Sequence, residues 1–291
     1  MKPGVSSYSL LHAIKAGEMS VLDVIDWIAE QGGEHMEIVP YGYTLEDQPE
    51  LADAVRERAA AKGIELSNYS MPANFVQETR EDFEAEMERV KRHVDTVHRL
   101  GMKHMRHDVT AFTLPPDKWG IDYLEDHLEQ IVEGCRQIAD YAAGYGITTT
   151  IENHGVSVQA SDRVQRVLRA VDRPNFKTTL DIGNFLCVDE EPLVGVKRNL
   201  PFASLVHVKD FYIRPADENP GGGGDWFRST HGNYLRGAIF GQGDIDVRRV
   251  LRLVKASGYD GYITLEFEGM EECREATKLG LENLRRIWNE L

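Results

Sequence analysis

The stretch TTTIENHG, residues 148–155, runs from a β-type segment directly into three polar groups. Its threonines and Ile151 favour a strand, whereas Glu152, Asn153 and His154 carry a carboxylate, an amide and an imidazole that are costly to bury. A strand can end in such groups where its carboxyl end opens into a site. We therefore predict the fold by asking whether other strands of the chain end in the same way.

Short β-type runs alternate with longer helical runs along the whole chain. The helical runs space apolar residues at i, i+3 and i+4, as in Val164, Val167 and Leu168. The β-type runs lie near residues 5–9, 35–39, 64–70, 102–108, 147–152, 176–181, 204–208 and 262–267. Eight strands alternating with eight helices in 291 residues predict an α/β fold, a (β/α)8 TIM barrel forming a single domain over residues 1–291. A doubly wound sheet is the alternative.

The charge balance limits the partners of the chain. It has 33 basic and 48 acidic residues and a formal net charge of −15 at pH 7. Such a charge repels phosphate backbones and anionic membrane surfaces, so neither nucleic acid nor a membrane is expected as a partner. Three scattered cysteines suit neither a disulfide framework nor a cysteine-based zinc site. We expect a cytoplasmic protein. The sequence leaves open whether the protein forms a homo-oligomer.

One segment interrupts the alternation after the seventh strand. Residues 212–244 contain four consecutive glycines, Gly221 to Gly224, which lose too much backbone entropy on ordering to belong to a core element. The segment is expected to be a loop. Its place beyond the carboxyl end of a strand favours a lid over the substrate, with Trp226 and Arg228 as contacts. A mobile surface loop is the alternative.

Strand alternation decides which side chains point into the barrel. In the fifth strand, Ile151 faces the helices and Glu152 faces the barrel mouth. The same alternation directs Asp181 of the sixth strand, His207 of the seventh and Glu266 of the eighth inward. All four lie at or near the carboxyl ends of neighbouring strands, where barrel enzymes keep their active sites.

Three carboxylates and an imidazole that converge in this way form a candidate metal site. Without a counter-charge the carboxylates repel one another, and protonating them requires large pKa shifts. A divalent cation relieves this conflict. An oxygen-rich set with one nitrogen suits Mn²⁺ first, with Mg²⁺, Co²⁺ and Zn²⁺ as alternatives. A single strand-end carboxylate is more often a solvated rim residue, but the same alternation in four strands favours the metal site.

The motifs IENHG, LDIGNF, VHVKDF and ITLEFEG, in this order, resemble the xylose isomerase-like TIM-barrel superfamily. Within it they resemble the sugar phosphate isomerase/epimerase branch, which includes ketose 3-epimerases, inosose isomerases and inosose dehydratases. The resemblance covers nearly the whole chain, and FGQGDID followed by GYDGYITLE extends it. In that family four strand-end side chains bind the metal, which implies the ligands Glu152, Asp181, His207 and Glu266 here.

Two positions depart from the ketose 3-epimerase pattern. Those enzymes commonly carry a His and an Arg where this chain has Asn184 and Ile213, and Arg214 lies one position later. The segment HVKD is closer to inosose dehydratase-like members, which keeps elimination chemistry open.

The expected function is that of a divalent-metal-dependent isomerase or epimerase. It would act on a small-molecule keto-sugar, hydroxy-sugar or inosose by removing a proton next to a carbonyl, through an enediolate, with Glu152 and Glu266 as base and acid on opposite faces. A dehydratase or lyase that uses the same proton abstraction, of the inosose dehydratase or 3-keto-glycoside lyase type, is the alternative. A non-catalytic metal-binding barrel is the alternative from another class.

Other side chains at strand ends or in the glycine-rich segment are candidates for contacts with the substrate. Arg106, His107 and Asp108 together follow the fourth strand, and Tyr8, Tyr69 and Trp119 are aromatic residues that either stack on a sugar or pack in the core. The substrate-binding candidates are His154, Lys209, Arg214, Glu37, His107, Trp226 and Arg228.

Overall fold

The computed structural model describes residues 1–291 and contains eleven strands. They are β1 (Lys2–Ser6), β2 (His35–Ile38), β3 (Glu65–Met71), β4 (His104–His107), β5 (Thr148–Glu152), β6 (Phe176–Asp181), β7 (Ala203–Val208), β8 (Asp210–Arg214), β9 (Phe227–Arg228), β10 (Tyr234–Ala238) and β11 (Tyr262–Leu265). Eight parallel strands close into a barrel in the order β1-β11-β7-β6-β5-β4-β3-β2. The predicted single-domain (β/α)8 barrel is confirmed.

Helices connect the strands on the outside of the barrel. They are α1 (Leu11–Lys15), α2 (Val21–Glu30), α3 (Pro49–Lys62), α4 (Arg80–Arg99), α5 (Ile121–Ala143), α6 (Ser161–Val171), α7 (Pro192–Asn199), α8 (Val247–Ala256) and α9 (Cys273–Glu290). Short 3₁₀ helices span Ser7–Leu10, Pro116–Lys118, Asn184–Val188 and Leu200–Phe202. No helix combines the length and apolar character that a membrane crossing requires.

The main hydrophobic core lies between the barrel and this helical layer. It includes Ile151 of β5 and Leu180 of β6, which are both fully buried and face outward from the barrel. The interior of the barrel is polar instead, as in the 2.8 Å contact between the hydroxyls of Thr150 and Thr179. The alternation within the strands therefore separates an apolar outer face from a polar inner one.

The first strand begins earlier in the chain than its sequence indicates. The prediction placed it near residues 5–9, whereas β1 ends at Ser6 and a 3₁₀ helix follows. The sequence does not indicate a strand at residues 2–6 because Pro3 and Gly4 are both poor strand formers. A glycine is required at position 4, since a Cβ there would lie 2.2 Å from the carbonyl oxygen of His35 on the neighbouring strand.

The glycine-rich segment contains a small antiparallel sheet in the order β8-β10-β9, which the expectation of a loop did not include. Gly221 to Gly224 do form an exposed turn between β8 and β9. On one sheet face Phe211 and Leu235 are buried. The opposite face carries Tyr212, paired in register with Arg236. We call this segment, residues 210–245, the hairpin.

Two aspartates hold the hairpin in place. The carboxylate of Asp210 accepts hydrogen bonds from the backbone N–H groups of Gly241, Gly243 and Ile245. Asp189, outside the hairpin, accepts from the side chains of Ser229, Thr230 and Asn233 and from the backbone of His231. Asp210 therefore joins the two ends of the hairpin, and Asp189 holds the turn between β9 and β10.

His35 couples the stability of the barrel to pH. The ring is fully buried, with Nδ1 2.8 Å from Ser67 Oγ, and burial lowers its pKa from 6.5 to about 4. The unfolded chain therefore binds more protons than the folded one between these values. The stability that the neutral ring contributes is present above pH 6.5 and is lost as the pH falls through about 4.

We expect His35→Gln to flatten the acid limb of the stability curve. For the wild type, this group alone removes about 3 kcal/mol of unfolding free energy between pH 7 and pH 4. Urea unfolding at several pH values, followed by circular dichroism, measures the difference. His98→Gln, at an exposed position on α4, is the control and should keep the wild-type slope. An unchanged slope in His35→Gln would contradict the assignment.

Candidate metal centre

Four side chains meet at the carboxyl end of the barrel. Glu152 ends β5, Asp181 ends β6, His207 lies near the end of β7, and Glu266 follows β11. One ligand atom of each lies within 4.8 Å of the ligand atoms of the other three. The parallel registers account for this, because Asp181 and Thr264 both pair with His207 on the strand between them.

Asp181 has one carboxylate oxygen engaged and one without a partner. Its Oδ1 accepts hydrogen bonds of 2.7 Å from the backbone N–H groups of Gly183 and Asn184, where a 3₁₀ helix begins. Its Oδ2 is buried and accepts no hydrogen bond. Burial, opposed by Lys209, raises the pKa of Asp181. The local backbone therefore fixes the carboxylate through Oδ1, while Oδ2 stays available to bind a cation.

The carboxylate of Glu37 fixes the orientation of the His207 ring. The ring Nε2 lies 3.0 Å from Glu37 Oε2, and Glu37 Oε1 also accepts from the side chains of Asn68 and Ser70. The other ring nitrogen, Nδ1, is buried without a hydrogen-bond partner. Burial opposes a charge on His207, but Glu37 and Glu152 outweigh it and raise the pKa of the ring well above its ordinary value. A cation that binds Nδ1 has to displace that proton.

The donor set fits a divalent cation. Two of its atoms, Asp181 Oδ2 and His207 Nδ1, are buried and make no hydrogen bond. Three carboxylates and one imidazole are ligands that Mn²⁺, Mg²⁺ and Zn²⁺ accept. A carboxylate behind a ligating imidazole, as Glu37 is here, is the usual support of such a ligand. These four residues therefore form a possible metal site.

Lys209 offsets part of the negative charge beside the ligands. Its buried Nζ lies 2.7 Å from Glu266 and 3.1 Å from Glu268, and 4.0 Å from the free oxygen of Asp181. Burial opposes the charge on Lys209, but Glu266 and Glu268 outweigh it and raise its pKa well above the ordinary value. Lys209 is thus a permanent counter-ion that contacts the ligand set.

A second set of polar contacts is centred on Arg106. Arg106 Nε is 3.1 Å from Glu152, and Arg106 Nη2 is 2.6 Å from Asp108 and 2.6 Å from His154 Nδ1. His154 Nδ1 is also 3.2 Å from Asp108 Oδ1. The His154 ring stacks on Phe112 with the ring centres 4.7 Å apart. Arg106 therefore joins a ligand of the cluster to a histidine–aspartate pair.

The cluster opens on a cavity of about 140 Å³, which we call the reaction cavity. Its walls include Tyr8, Tyr41, Arg106, His154, Glu266 and Glu268. A larger cavity of about 390 Å³ lies elsewhere, between the hairpin and helices α7 and α8, and none of the four ligands lines it. The reaction cavity is the candidate site because of its chemistry and not because of its size.

The two remaining strand-end candidates lie away from the reaction cavity. Glu37 is fully buried behind His207 and makes no wall of the cavity. His107 is fully buried and packs 5.1 Å from the ring of Phe75, on the helix side of the barrel. Its neighbour Arg106 is the residue that points inward, in register with Thr150 of β5. Neither side chain therefore lines the reaction cavity. Glu37 contacts the His207 ring, and His107 packs against Phe75.

The three candidates from the hairpin do not line the reaction cavity either. The Trp226 ring lies between the guanidinium groups of Arg214 and Arg236, 5.8 and 5.0 Å from its centre. Arg228 stacks over Tyr234 at 4.1 Å. In these contacts, side chains on the exposed face of the hairpin sheet pack against one another.

Glu152 and Glu266 have opposite proton affinities. Burial favours protonation of Glu152, but Arg106 and His207 outweigh it and hold its pKa well below the ordinary range. Burial raises the pKa of Glu266 to about 7, against the opposing effect of Lys209. Glu152 is consequently a weak proton acceptor, whereas Glu266 exchanges protons near neutral pH.

The comparison with known families agrees with this geometry. Residues 25–287 match the family described as xylose isomerase-like TIM barrel. The match covers most of the chain, so the chain belongs to that family, and the resemblance noted from its motifs is confirmed.

Individual relatives are distant but cover most of the chain. The inosose dehydratase of Lacticaseibacillus casei is 24% identical over 274 residues, covering 79% of this chain and 88% of that protein. The inosose dehydratase of Geobacillus thermodenitrificans (strain NG80-2) is 22% identical over 272 residues, with coverage of 79% and 88%.

Solved structures share the fold at lower identity. The probable 3-DHS dehydratase AsbF from Bacillus anthracis has a TM-score of 0.74 at 17% identity, covering 98% of this chain and 99% of that one. The 3-keto-D-glucoside 4-epimerase YcjR from E. coli has a TM-score of 0.73 at 15% identity, with coverage of 98% and 99%. The IOLI protein, solved with a binding zinc atom, has a TM-score of 0.72 at 17% identity, with coverage of 100% and 99%.

Asp181→Ala should raise the dissociation constant for Mn²⁺ by at least about tenfold, because it removes a charged ligand with a free oxygen. Titration calorimetry on metal-stripped protein measures this directly. Asp189→Ala removes a carboxylate just beyond the same 3₁₀ turn, and should leave the affinity within about twofold of the wild type. Wild-type affinity in Asp181→Ala would exclude Asp181 from the site.

Proposed function

We propose that the chain is a divalent-metal-dependent dehydratase or lyase. It removes the proton next to the ketone of a keto-sugar or keto-cyclitol that carries no phosphate, and expels the oxygen group β to that ketone. The observation that carries the proposal is the asymmetry of the reaction cavity, where Arg106 holds the carboxylate of Glu152 in an ion pair and the same arginine contacts the histidine–aspartate pair of His154 and Asp108. When bound, a divalent cation would stabilise negative charge on the ketone oxygen.

His154 is the proton acceptor in this proposal. In the tautomer that acts as the base, the Nδ1 proton is donated to Asp108, 3.2 Å away, and Nε2 keeps a free lone pair. Arg106, which can only donate, then bonds to Asp108 and not to Nδ1. Phe112 on one ring face and Arg106 at the edge restrict its rotation. A base held in position by a third group is the usual arrangement for proton abstraction in enzymes.

Tyr8 is the group that assists the departing oxygen. Burial and the nearby Glu268 raise the pKa of Tyr8 to about 12, so its phenol stays protonated at neutral pH. The α C–H electron pair forms the new C=C bond as the proton passes to His154. The β C–O bond breaks, and the Tyr8 phenol donates its proton to the departing oxygen, so that water or an alcohol leaves and an α,β-unsaturated ketone remains. The proton taken up by His154 then returns to Tyr8 through solvent.

The same asymmetry argues against the symmetric use of Glu152 and Glu266 as acid and base. A two-base epimerisation needs a competent group on each face of one carbon atom. Glu152 is neutralised by Arg106 at 3.1 Å and accepts a hydrogen bond from Asn184 at 3.0 Å, so it binds a proton weakly. It acts as a ligand in our proposal and not as a base.

The charges around the reaction cavity favour a substrate without phosphate. Arg106 is engaged by Asp108 and Glu152, and Lys209 is engaged by Glu266 and Glu268. No lysine or arginine of the cavity wall is left without a carboxylate partner. A phosphate would meet four carboxylates there, whereas the hydroxyls of a neutral sugar can hydrogen-bond to them.

The relatives support elimination. The sequence relatives described above are inosose dehydratases, and one of the structural neighbours is a probable dehydratase. An inosose is a keto-cyclitol with a hydroxyl β to its ketone, which is the pattern that the proposed chemistry requires.

An epimerase or isomerase is the second candidate function. Glu266 lines the reaction cavity together with His154, and in this second candidate function it would return a proton to the other face of the carbon. Structural neighbours include the 3-keto-D-glucoside 4-epimerase. The two functions differ in their products, because only elimination gives an unsaturated ketone.

We expect protein reconstituted with Mn²⁺ to convert an inosose or a 3-keto-glucoside into an unsaturated ketone. The ultraviolet absorbance of the product follows the reaction, and proton NMR in D₂O identifies it. An intact isomer that carries solvent deuterium would favour the epimerase instead. Metal-stripped protein is the control, and a failure of every such substrate to exchange or react would favour a non-catalytic metal-binding barrel.

His154→Gln should lower kcat by about 100-fold or more, which is the usual contribution of a positioned base. The Mn²⁺ affinity should stay within about twofold of the wild type, because His154 is not one of the four ligands. Stopped-flow absorbance measures the first quantity and calorimetry the second. His127→Gln on α5 is the matched control. Equal losses of metal affinity and activity would assign His154 to the metal site instead.

A further inference from the structure

The proposed function makes no use of the cavity of about 390 Å³ between the hairpin and helices α7 and α8, which we call the outer cavity. Its volume lies within the range of small-molecule sites in proteins. Its apolar walls come from both helices, a 3₁₀ helix and the hairpin, and comprise Leu186, Leu193, Ile213, Leu235, Ile245 and Val250. The last three of these side chains are buried. The outer cavity therefore has an apolar floor that the body of a ligand would cover.

Carboxylates dominate the charge of the outer cavity. Its walls contain five acidic residues and one basic residue, Arg249. Two of the carboxylates are already occupied, since Asp189 holds the turn between β9 and β10 and Glu190 accepts from the backbone and the hydroxyl of Ser161. The other three carry charge that a bound ligand can meet.

Glu191, Asp244 and Asp246 each have one engaged and one unengaged oxygen. Asp244 Oδ2 accepts from the backbone N–H of Ile213 at 2.7 Å and from Arg214 at 3.1 Å. Glu191 Oε2 and Asp246 Oδ1 cap the N-termini of α7 and α8, where they accept backbone hydrogen bonds of 2.9 and 3.0 Å. No protein group donates to the second oxygen of any of the three.

The two caps decide the sign of the charge that a ligand can carry. A helix N-terminus attracts anions, and two of them border the outer cavity. Both are already occupied by the protein's own carboxylates, Glu191 and Asp246. These carboxylates would repel a further anion, whereas an ammonium group can donate hydrogen bonds to their unengaged oxygens. The outer cavity therefore suits an organic cation with an apolar body.

The 3₁₀ helix Asn184–Val188 connects the outer cavity to the candidate metal centre. Leu186 of this helix is half-buried and lines the outer cavity. Asn184, at its start, donates from the backbone to Asp181 Oδ1 at 2.7 Å and from the side chain to Glu152 Oε1 at 3.0 Å. One short helix therefore contacts two of the four cluster residues at its first residue and the outer cavity two residues later.

This 3₁₀ helix has little space to move independently of α7. Phe185 is fully buried against Gly195 of α7, where a Cβ would lie 2.6 Å from the aromatic ring. A ligand that packs on Leu186 and on Leu193 of α7 consequently restrains the helix that holds Asp181.

We propose that the outer cavity binds a small organic cation with an apolar body, and that the bound cation strengthens the binding of a divalent metal at the four-residue cluster. The ammonium group would lie among Glu191, Asp244 and Asp246, with the apolar body on the floor. A restrained 3₁₀ helix holds Asp181 and Glu152 in place before the metal arrives, so metal binding then orders fewer groups. The coupling rests on the cluster as a metal site and is independent of the reaction that the metal supports.

Three indole compounds of similar size test the charge preference. Titration calorimetry on metal-stripped protein compares tryptamine, a cation at pH 7, with neutral tryptophol and anionic indole-3-propionate. We expect tryptamine to bind at least about threefold more tightly than tryptophol, since charge pairs at an exposed rim add modestly to affinity, and indole-3-propionate to bind most weakly. The double variant Asp244→Asn/Asp246→Asn should remove the preference for tryptamine, while asparagine at position 246 still caps α8.

Further variants locate the bound tryptamine. Leu193→Trp should weaken its binding by at least about tenfold, because the indole side chain occupies the cavity. Arg249→Trp fills the same cavity from an exposed position on α8, so it should give the same result even if Leu193→Trp is unstable. Two exposed positions outside the cavity are the matched controls, Leu279→Trp for size and Asp260→Asn for charge, and both should keep the wild-type affinity.

The coupling is measured in both directions. Saturating tryptamine should lower the dissociation constant for Mn²⁺ by at least about fivefold, and saturating Mn²⁺ should lower that for tryptamine by the same factor, because coupling between two sites is reciprocal. In Leu193→Trp, tryptamine should leave the Mn²⁺ affinity unchanged.

The outcomes separate this inference from the proposed function, since none of them depends on turnover. An absence of saturable tryptamine binding, or equal affinities for tryptamine and tryptophol, overturns the cation site. Binding that leaves the Mn²⁺ affinity unchanged overturns the coupling, and an absence of Mn²⁺ binding overturns both the coupling and the metal-dependent reaction. Competition between tryptamine and Mn²⁺ that persists in Leu193→Trp and Arg249→Trp would place the amine in the reaction cavity instead. Reciprocal strengthening that is lost in both cavity-filling variants and kept in both controls supports the proposal.

Discussion

Crowded negative charge at one end of the barrel is the constraint on which the rest of the site depends. Carboxylates buried this close together can coexist only if positive groups lie between them. The protein supplies Arg106 on one side and Lys209 on the other, and it charges His207 through Glu37. Asp181 Oδ2 and His207 Nδ1 are left without a hydrogen-bond partner. A divalent cation bound there would complete the neutralisation, and in our proposal the paired arginine and lysine leave no positive charge for a phosphate.

Unequal neutralisation gives the two sides of the mouth different chemistry. Arg106 suppresses the basicity of Glu152, whereas Glu266 shares Lys209 with Glu268 and keeps a pKa of about 7. The same arginine contacts His154, so one residue both lowers the basicity of Glu152 and holds the histidine that we propose as the base. This is why our proposal favours elimination over a symmetric exchange of protons.

Much of the barrel and the convergence of Glu152, Asp181, His207 and Glu266 could be predicted from the sequence because both depend on local alternation. ITTTIE and FKTTLD alternate polar and apolar residues, which identifies the inward side chains directly. MKHMRHD has no such alternation, so whether Arg106 or His107 faced inward could not be decided. The hairpin sheet was not predicted because its strands are short and its pairing is set by contacts to Asp189 and Asp210, which are distant in sequence from much of what they hold. The role of Glu37 depends on packing against β7 across the barrel, which has no signature in its own strand.

The two aspartate anchors make the hairpin a replaceable part. Because Asp189 and Asp210 hold the hairpin through hydrogen bonds that do not involve residues 215–225, the stretch from Pro215 to Asp225 can change in length and composition without disturbing the four cluster residues. Loop-length changes of this kind have small thermodynamic costs. Transplanting this stretch between barrels would therefore vary the rim while the cluster stays the same, which offers a route to engineering new surfaces on one barrel.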